Sequence, residues 1–207
     1  MCPGRQNCGW SDGPWTGEVS PSMLGELGVG LVEIGHAERR RYFAEDESMI
    51  ALKVSAAVDA GLTPLLCVGE PETLAPPAAA ADTVYRQIKA AVSGDWSVAS
   101  GLVIAYEPVW AIGAADPASA EYVSQVVDAL RDSLAQHGLA RLPIIYGGGS
   151  AKPGGLLPQL NGGVSGLFLG RFAHDATNFG RVLDEALALP RAVQLGSTSA
   201  VLRLITA

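Results

Sequence analysis

Several residues able to do chemistry stand where apolar runs stop. Glu107 follows 102-LVIAY-106 and opens the stretch PVWAIG, which ends at Gly113. His36 follows 29-VGLVEI-34 and Gly35 and precedes Glu38, Arg39 and Arg40. Gly69 and Glu70 follow 64-PLLCV-68, the turn 147-GGGSAKPGG-155 follows 143-PIIY-146, and Gly170 with Arg171 follows 166-GLFL-169. A carboxylate and an imidazole can move or hold a proton. The glycine-rich turns suit a phosphate, because glycine lets the backbone approach closely and N–H groups at a helix start attract an anion. Taken singly, each group also has a plain reading. His36 could be a hydrogen-bonded structural residue, Glu107 a solvated loop acid, Glu38 to Arg40 a charged helix start, and each glycine turn only a tight turn.

The elements that must position these groups alternate. Five short runs, 29–34, 64–68, 102–106, 143–146 and 166–169, are β-rich, and all but the first are nearly continuous in apolar residues. Such runs suit parallel strands covered on both faces. Helical periodicity occupies 46–62, ending at Gly61, and 118–138, ending at Gly138, where glycine suits a C-terminal cap. Further helices are expected over 83–93 and 177–189, and the Pro/Ala-rich stretch 71–82 is expected to be an exposed connection. Strand then helix, repeated, predicts an α/β domain whose functional groups gather at the C-terminal ends of the strands. The tail 190–207 fits no unit of this pattern.

Composition narrows the possibilities. With 207 residues, 48% hydrophobic and 17% charged, the chain can bury one sizeable core. A net charge of −7 leaves no basic stripe for nucleic acid, and no run of 18 apolar residues is present to span a bilayer. The three cysteines, Cys2, Cys8 and Cys67, lack the paired spacing of a zinc site or disulfide framework. No signal peptide is read at the N-terminus, and a cytoplasmic location is expected.

The stretches 16-TGEVSPSML-24, 34-IGHAERR-40, 60-AGLTPLLCVGE-70, 105-AYEPVWAIG-113 and 145-IYGGGSAKP-153 together resemble the triosephosphate isomerase family. The resemblance spans roughly residues 2 to 188 and implies a (β/α)₈ barrel, a fold of about 250 residues. It implies that Glu107 is the base that moves a proton between adjacent carbons of a phosphorylated sugar, and that His36 polarises the carbonyl. It makes Glu38 a supporting residue that orients an active-site lysine, and Gly113, Ser150 and Gly170 phosphate-binding positions, with residues 108 to 118 as a lid. It implies a phosphorylated sugar substrate, no metal or organic cofactor, and a homodimer with Thr16 and Glu18 in the segment that meets the partner.

Departures from the family pattern carry their own expectations. The family's first two strand–helix units, including its Asn-x-Lys strand, have no counterpart, and Lys53, Lys89 and Lys152 do not replace that lysine. A fragment begun at an internal Met, with six strands, an open sheet and two exposed edges, is therefore expected. Loss of one donor to the developing oxyanion typically costs roughly 10²–10³ in rate. Ala37 stands where the family has Ser, Ala114-Ala115-Asp116 replaces the lid tip, Gly149 reads as an insertion, and Arg171 replaces a glycine where it could contact phosphate. With Glu33, these changes resemble the branch acting on erythrulose phosphates. The main expectation is interconversion of dihydroxyacetone phosphate and glyceraldehyde 3-phosphate. The alternatives are L-erythrulose 1-phosphate/D-erythrulose 4-phosphate isomerisation, or a phosphate-binding remnant without activity. Residues 1–188 are expected to form the partial barrel, and 189–207 a tail of unassigned role.

Overall fold

The computed structural model describes residues 2–5, 9–73, 76–114, 118–147, 163–188 and 205–206, with 2–5, 171–172 and 205–206 given by backbone alone. Seven strands form one sheet in sequential order: β1 (Cys2–Arg5), β2 (Val29–Ile34), β3 (Thr63–Val68), β4 (Val103–Tyr106), β5 (Ile144–Gly147), β6 (Gly166–Leu169) and β7 (Ile205–Thr206). Every neighbouring pair is parallel. Helices α1 (Pro21–Glu26), α2 (Ala37–Tyr42), α3 (Glu47–Asp59), α4 (Pro77–Ala91), α5 (Trp96–Ala99), α6 (Ala120–Ala135) and α7 (Ala176–Ala188) lie in the connections. This is the strand–helix order of a (β/α)₈ barrel, carried by an open sheet of the described strands.

Successive strand residues point to opposite faces, which divides the core in two. Val32, Leu66, Ile104, Ile144 and Leu169 pack with the helices in a large cluster. Leu31, Leu65, Cys67, Val103, Ala105, Ile145 and Phe168 form a second cluster made of strand residues alone. Both faces are buried, which explains why the strands read as continuous apolar runs. Glu107 extends the ladder by one step, its N–H donating to Val68 O at 2.8 Å. That bond holds the carboxylate residue at the strand ends.

Helix α6 illustrates how the surrounding layer forms. Ser119 caps its start by accepting from Tyr122 N at 3.2 Å, and Val123, Val126, Val127, Leu130 and Leu134 are buried at helical spacing. The chain leaves it through Gly138, whose φ of +74° suits glycine.

Two expectations are corrected here. The stretch 71–82 is not wholly a loop, because α4 begins at Pro77 and buries Ala80 and Ala81. Proline at the first helical position costs no hydrogen bond and alanine is the best helix former, so a Pro/Ala-rich composition can start a helix. The sheet has seven described strands rather than six, since Ile205 and Thr206 of the tail pair with Phe168 and Leu169. Among the described residues, no helix is long and apolar enough to cross a membrane.

Candidate active site

At the end of β2, Gly35 turns with φ +77°, and His36 caps α2. The His36 Nδ1 accepts from Glu38 N at 3.3 Å. An accepting nitrogen carries no proton, so the neutral ring bears its proton on Nε2. That nitrogen stands 3.9 Å from Oε2 of Glu107. The two residues that sequence spacing singled out, 71 positions apart, thus meet at the strand ends. Glu107 is 8% exposed.

Glu107, Gly35, Ala37, Arg40, Cys67, Val68, Gly69 and Val109 line a small open pocket. Arg40 braces its wall, donating through Nε to Gly35 O at 2.7 Å and through Nη1 to Glu47 Oε1 at 2.6 Å. Burial pushes the Cys67 thiol well above its usual range, and the carboxylates of Glu107 and Glu33 push it further. It stays protonated beside the Glu107 carboxylate. Glu33 is itself buried, two residues along β2 from Leu31, and its Cα aligns with that of Arg5 in β1.

Glu70 organises the segment that follows β4, a role that sequence reasoning did not assign. It is fully buried. Its carboxylate accepts from Trp110 Nε1 at 2.9 Å, from Tyr122 Oη at 2.9 Å and from Tyr106 Oη at 3.2 Å, while its carbonyl accepts from Val109 N at 3.0 Å. Trp110 lies in the 3-10 turn Val109–Ala111 after Pro108, and Tyr122 is on α6. One carboxylate therefore joins the turn after β4 to α6. Burial, then the charge of Glu70, raises the Tyr106 phenol well above its usual range. The strand-end position of Glu70 was the available signal; its three donors come from 36 to 52 residues away.

The remaining expected residues fall as follows. Gly113 turns with φ +74° after the 3-10 turn, and Gly170 is exposed after β6. Ser150, Lys152, Gly149, Ala115 and Asp116 lie outside the described residues, as does the Arg171 side chain. Glu38 is exposed in the first turn of α2, as are Thr16 and Glu18 before α1. Lys89 is exposed on α4, whereas Lys53 is buried and pairs with Glu45, which also binds Arg39. Among the described residues, no group of three or more His, Cys, Asp or Glu is placed to hold a metal ion.

An open sheet of parallel strands with helices in the connections, carrying a carboxylate and an imidazole at the C-terminal strand ends, is the frame of a (β/α)₈-barrel enzyme. The sequence model of triosephosphate isomerase matches residues 2–186, and the chain belongs to that family. It is 51% identical over 190 residues to the L-erythrulose-1-phosphate isomerase of Pectobacterium atrosepticum, covering 90% of this chain and 72% of that protein. It is 43% identical over 195 residues to the L-erythrulose-1-phosphate isomerase of Mesorhizobium japonicum, covering 89% and 74%. The triosephosphate isomerase of a Synechococcus species is 40% identical over 190 residues, covering 89% and 73%.

Proposed function

We propose that this chain isomerises a phosphorylated ketose by proton transfer between adjacent carbons, with Glu107 as base and His36 as carbonyl-polarising donor. The observation that carries the reading is the approach of His36 Nε2 to Glu107 Oε2 at 3.9 Å, beside a pocket at the strand ends. Glu107 removes the proton from the carbon next to the carbonyl while Nε2–H stabilises the oxygen of the enediolate. The same carboxylate returns the proton to the neighbouring carbon, so carbonyl and hydroxyl exchange places. Triosephosphate isomerase is itself the reference case for a glutamate base beside a neutral histidine. Gly113, Ser150, Gly170 and Arg171 are read as the phosphate-binding positions, and segment 108–118 as the lid that excludes water. Glu38 supports the site from the first turn of α2.

For the substrate, we read L-erythrulose 1-phosphate, converted to D-erythrulose 4-phosphate. Support comes from the 51% identical relative that bears that name. This reverses the order of preference drawn from the motifs alone, which put the triose phosphates first. The triose reading keeps the support of the 40% identical Synechococcus relative. We further read a cytoplasmic homodimer with Thr16 and Glu18 at its interface. Side-by-side assays of glyceraldehyde 3-phosphate and L-erythrulose 1-phosphate test the choice: preference for the tetrulose supports it, and preference for the triose overturns it. Binding of a phosphorylated enediolate mimic without turnover of either sugar would instead favour the inactive phosphate-binding reading.

A further inference from the structure

The side of Glu107 away from its own strand meets a residue without a side chain. A Cβ placed on Gly147, the last residue of β5, falls 2.8 Å from Cγ of Glu107, 2.9 Å from its Oε1, and 2.8 Å from Cδ1 of Phe168. Carbon atoms in good contact sit about 3.5–4.0 Å apart, so a methyl group fits there only if the Glu107 and Phe168 side chains shift. Gly147 is not among the glycines with positive φ. Its backbone therefore accepts any residue, and space rather than conformation calls for glycine.

The Glu107 main chain is held independently. A Cβ on Gly69 would fall 1.8 Å from Glu107 O, and Gly69 is bonded from behind by Gln87, which accepts from its N–H at 2.9 Å and donates to its carbonyl at 3.0 Å. With the backbone fixed there, the course of the Glu107 side chain depends on what stands at 147. In the sequence Gly147 opens the glycine-rich turn 147–155 and reads as part of a phosphate cradle.

We propose that Gly147 is a positioning residue for Glu107, its missing side chain leaving the volume that the carboxylate occupies when it faces His36. The proposal rests on the reading of Glu107 as the base. An added methyl would turn the carboxylate away from the reacting carbon while leaving phosphate binding intact. Misplacing a catalytic group by about 1 Å can cost roughly 10²-fold in rate.

The test combines kinetics with a double-mutant cycle. Gly147→Ala should lower kcat about 100-fold on the preferred sugar phosphate with KM changed less than about threefold. It should also lower Tm, and most of that loss should vanish when the same change is made in Glu107→Ala, where the Glu107 atoms are gone and Phe168 alone remains. The Tm cycle needs no turnover. An equal Tm loss in both backgrounds, or a kcat within threefold of the parent, would overturn the proposal, because Phe168 would then be the obstacle. If Gly147→Ala does not fold, the Gly147→Ala/Glu107→Ala protein must fold, and its failure to do so overturns the proposal too. Glu107→Gln separates the two levels. Full activity in that variant removes the base assignment, whereas its inactivity beside an active Gly147→Ala removes only the role of Gly147.

Discussion

The Trp110 indole donates to Oε1 of Glu70 at 2.9 Å, tying the turn after Pro108 to the residues that follow β3. The Trp110 ring also meets Tyr122 edge-on, with centroids 5.7 Å apart, and Tyr122 donates to the same Glu70 oxygen. Trp110→Phe keeps the apolar contact and deletes the donor. A net loss of about 1–2 kcal/mol in unfolding free energy is expected, measured by denaturant titration. A loss below about 0.3 kcal/mol would show that the bond does not hold that turn.

Gln87 acts on the other side of the same strand end. Its amide satisfies both backbone groups of Gly69, so Gln87→Leu would leave a partly buried N–H and C=O without that partner. The expected cost is about 1–3 kcal/mol, together with a fall in kcat, because Gly69 abuts the Glu107 carbonyl. Unchanged stability and turnover would remove Gln87 from the account of how Glu107 is fixed.

Tyr146 gives a pH prediction. Its phenol is pushed up to about 12, by burial first and then by the carboxylates of Glu70 and Glu107. An unfolded tyrosine ionises near 10. The folded chain therefore keeps this proton over a window in which the unfolded chain gives it up. Relative to its value below pH about 10, stability falls by up to roughly 2–3 kcal/mol as pH rises toward about 12. Tyr106, raised further by burial and Glu70, acts in the same direction. The Tyr146 hydroxyl has no hydrogen-bond partner among the described residues. Tyr146→Phe should therefore be neutral or stabilising at pH 7 and should flatten part of the alkaline loss. Denaturant unfolding at pH 7 and across pH 9 to 12 measures both.

What was legible in the sequence was the periodic and the local. The apolar runs placed β2 to β6 within a residue or two, because strands buried on both faces need little else. His36 and Glu107 were legible because each stands directly after a strand. Features made by distant partners were not. Lys53 falls in a helical pattern that carries no sign of burial, yet it is 1% exposed because Glu45 sits beside it. Ala80 and Ala81 read as a loop because small residues carry no periodic signal until a neighbouring helix covers them. β1 and β7 are too short for a pattern, and only pairing identifies them.

His137 shows the same limit and yields a prediction. Its place after α6 suggests a surface imidazole favoured by the helix C-terminus. In the fold it stacks on Trp96 at 4.0 Å between centroids, 13° from parallel, and its Nε2 lies 2.8 Å from Tyr85 Oη. His137→Ala removes a stack and a hydrogen bond, together about 1–3 kcal/mol. The exposed Lys89→Ala is expected to stay within about 0.5 kcal/mol. Equal effects from the two, compared by thermal unfolding, would reduce His137 to the surface residue its position suggested.

The His36 prediction addresses the chemistry directly. Because Nδ1 accepts from Glu38 N, the proton that faces Glu107 and the pocket belongs to Nε2. Nitrogen-15 NMR of ring-labelled protein should show the neutral ring carrying its proton on Nε2 and not on Nδ1. His36→Phe preserves ring volume and deletes the donor, so kcat should fall by roughly 10²–10³ while KM stays within a few-fold, the pattern of a contact that strengthens at the enediolate. His36→Gln, whose amide can still donate, should retain more activity than His36→Phe. If the two variants were equally impaired and the ring proton proved to be on Nδ1, the donor would have to be another group, and the short approach of His36 to Glu107 would serve only to orient the base.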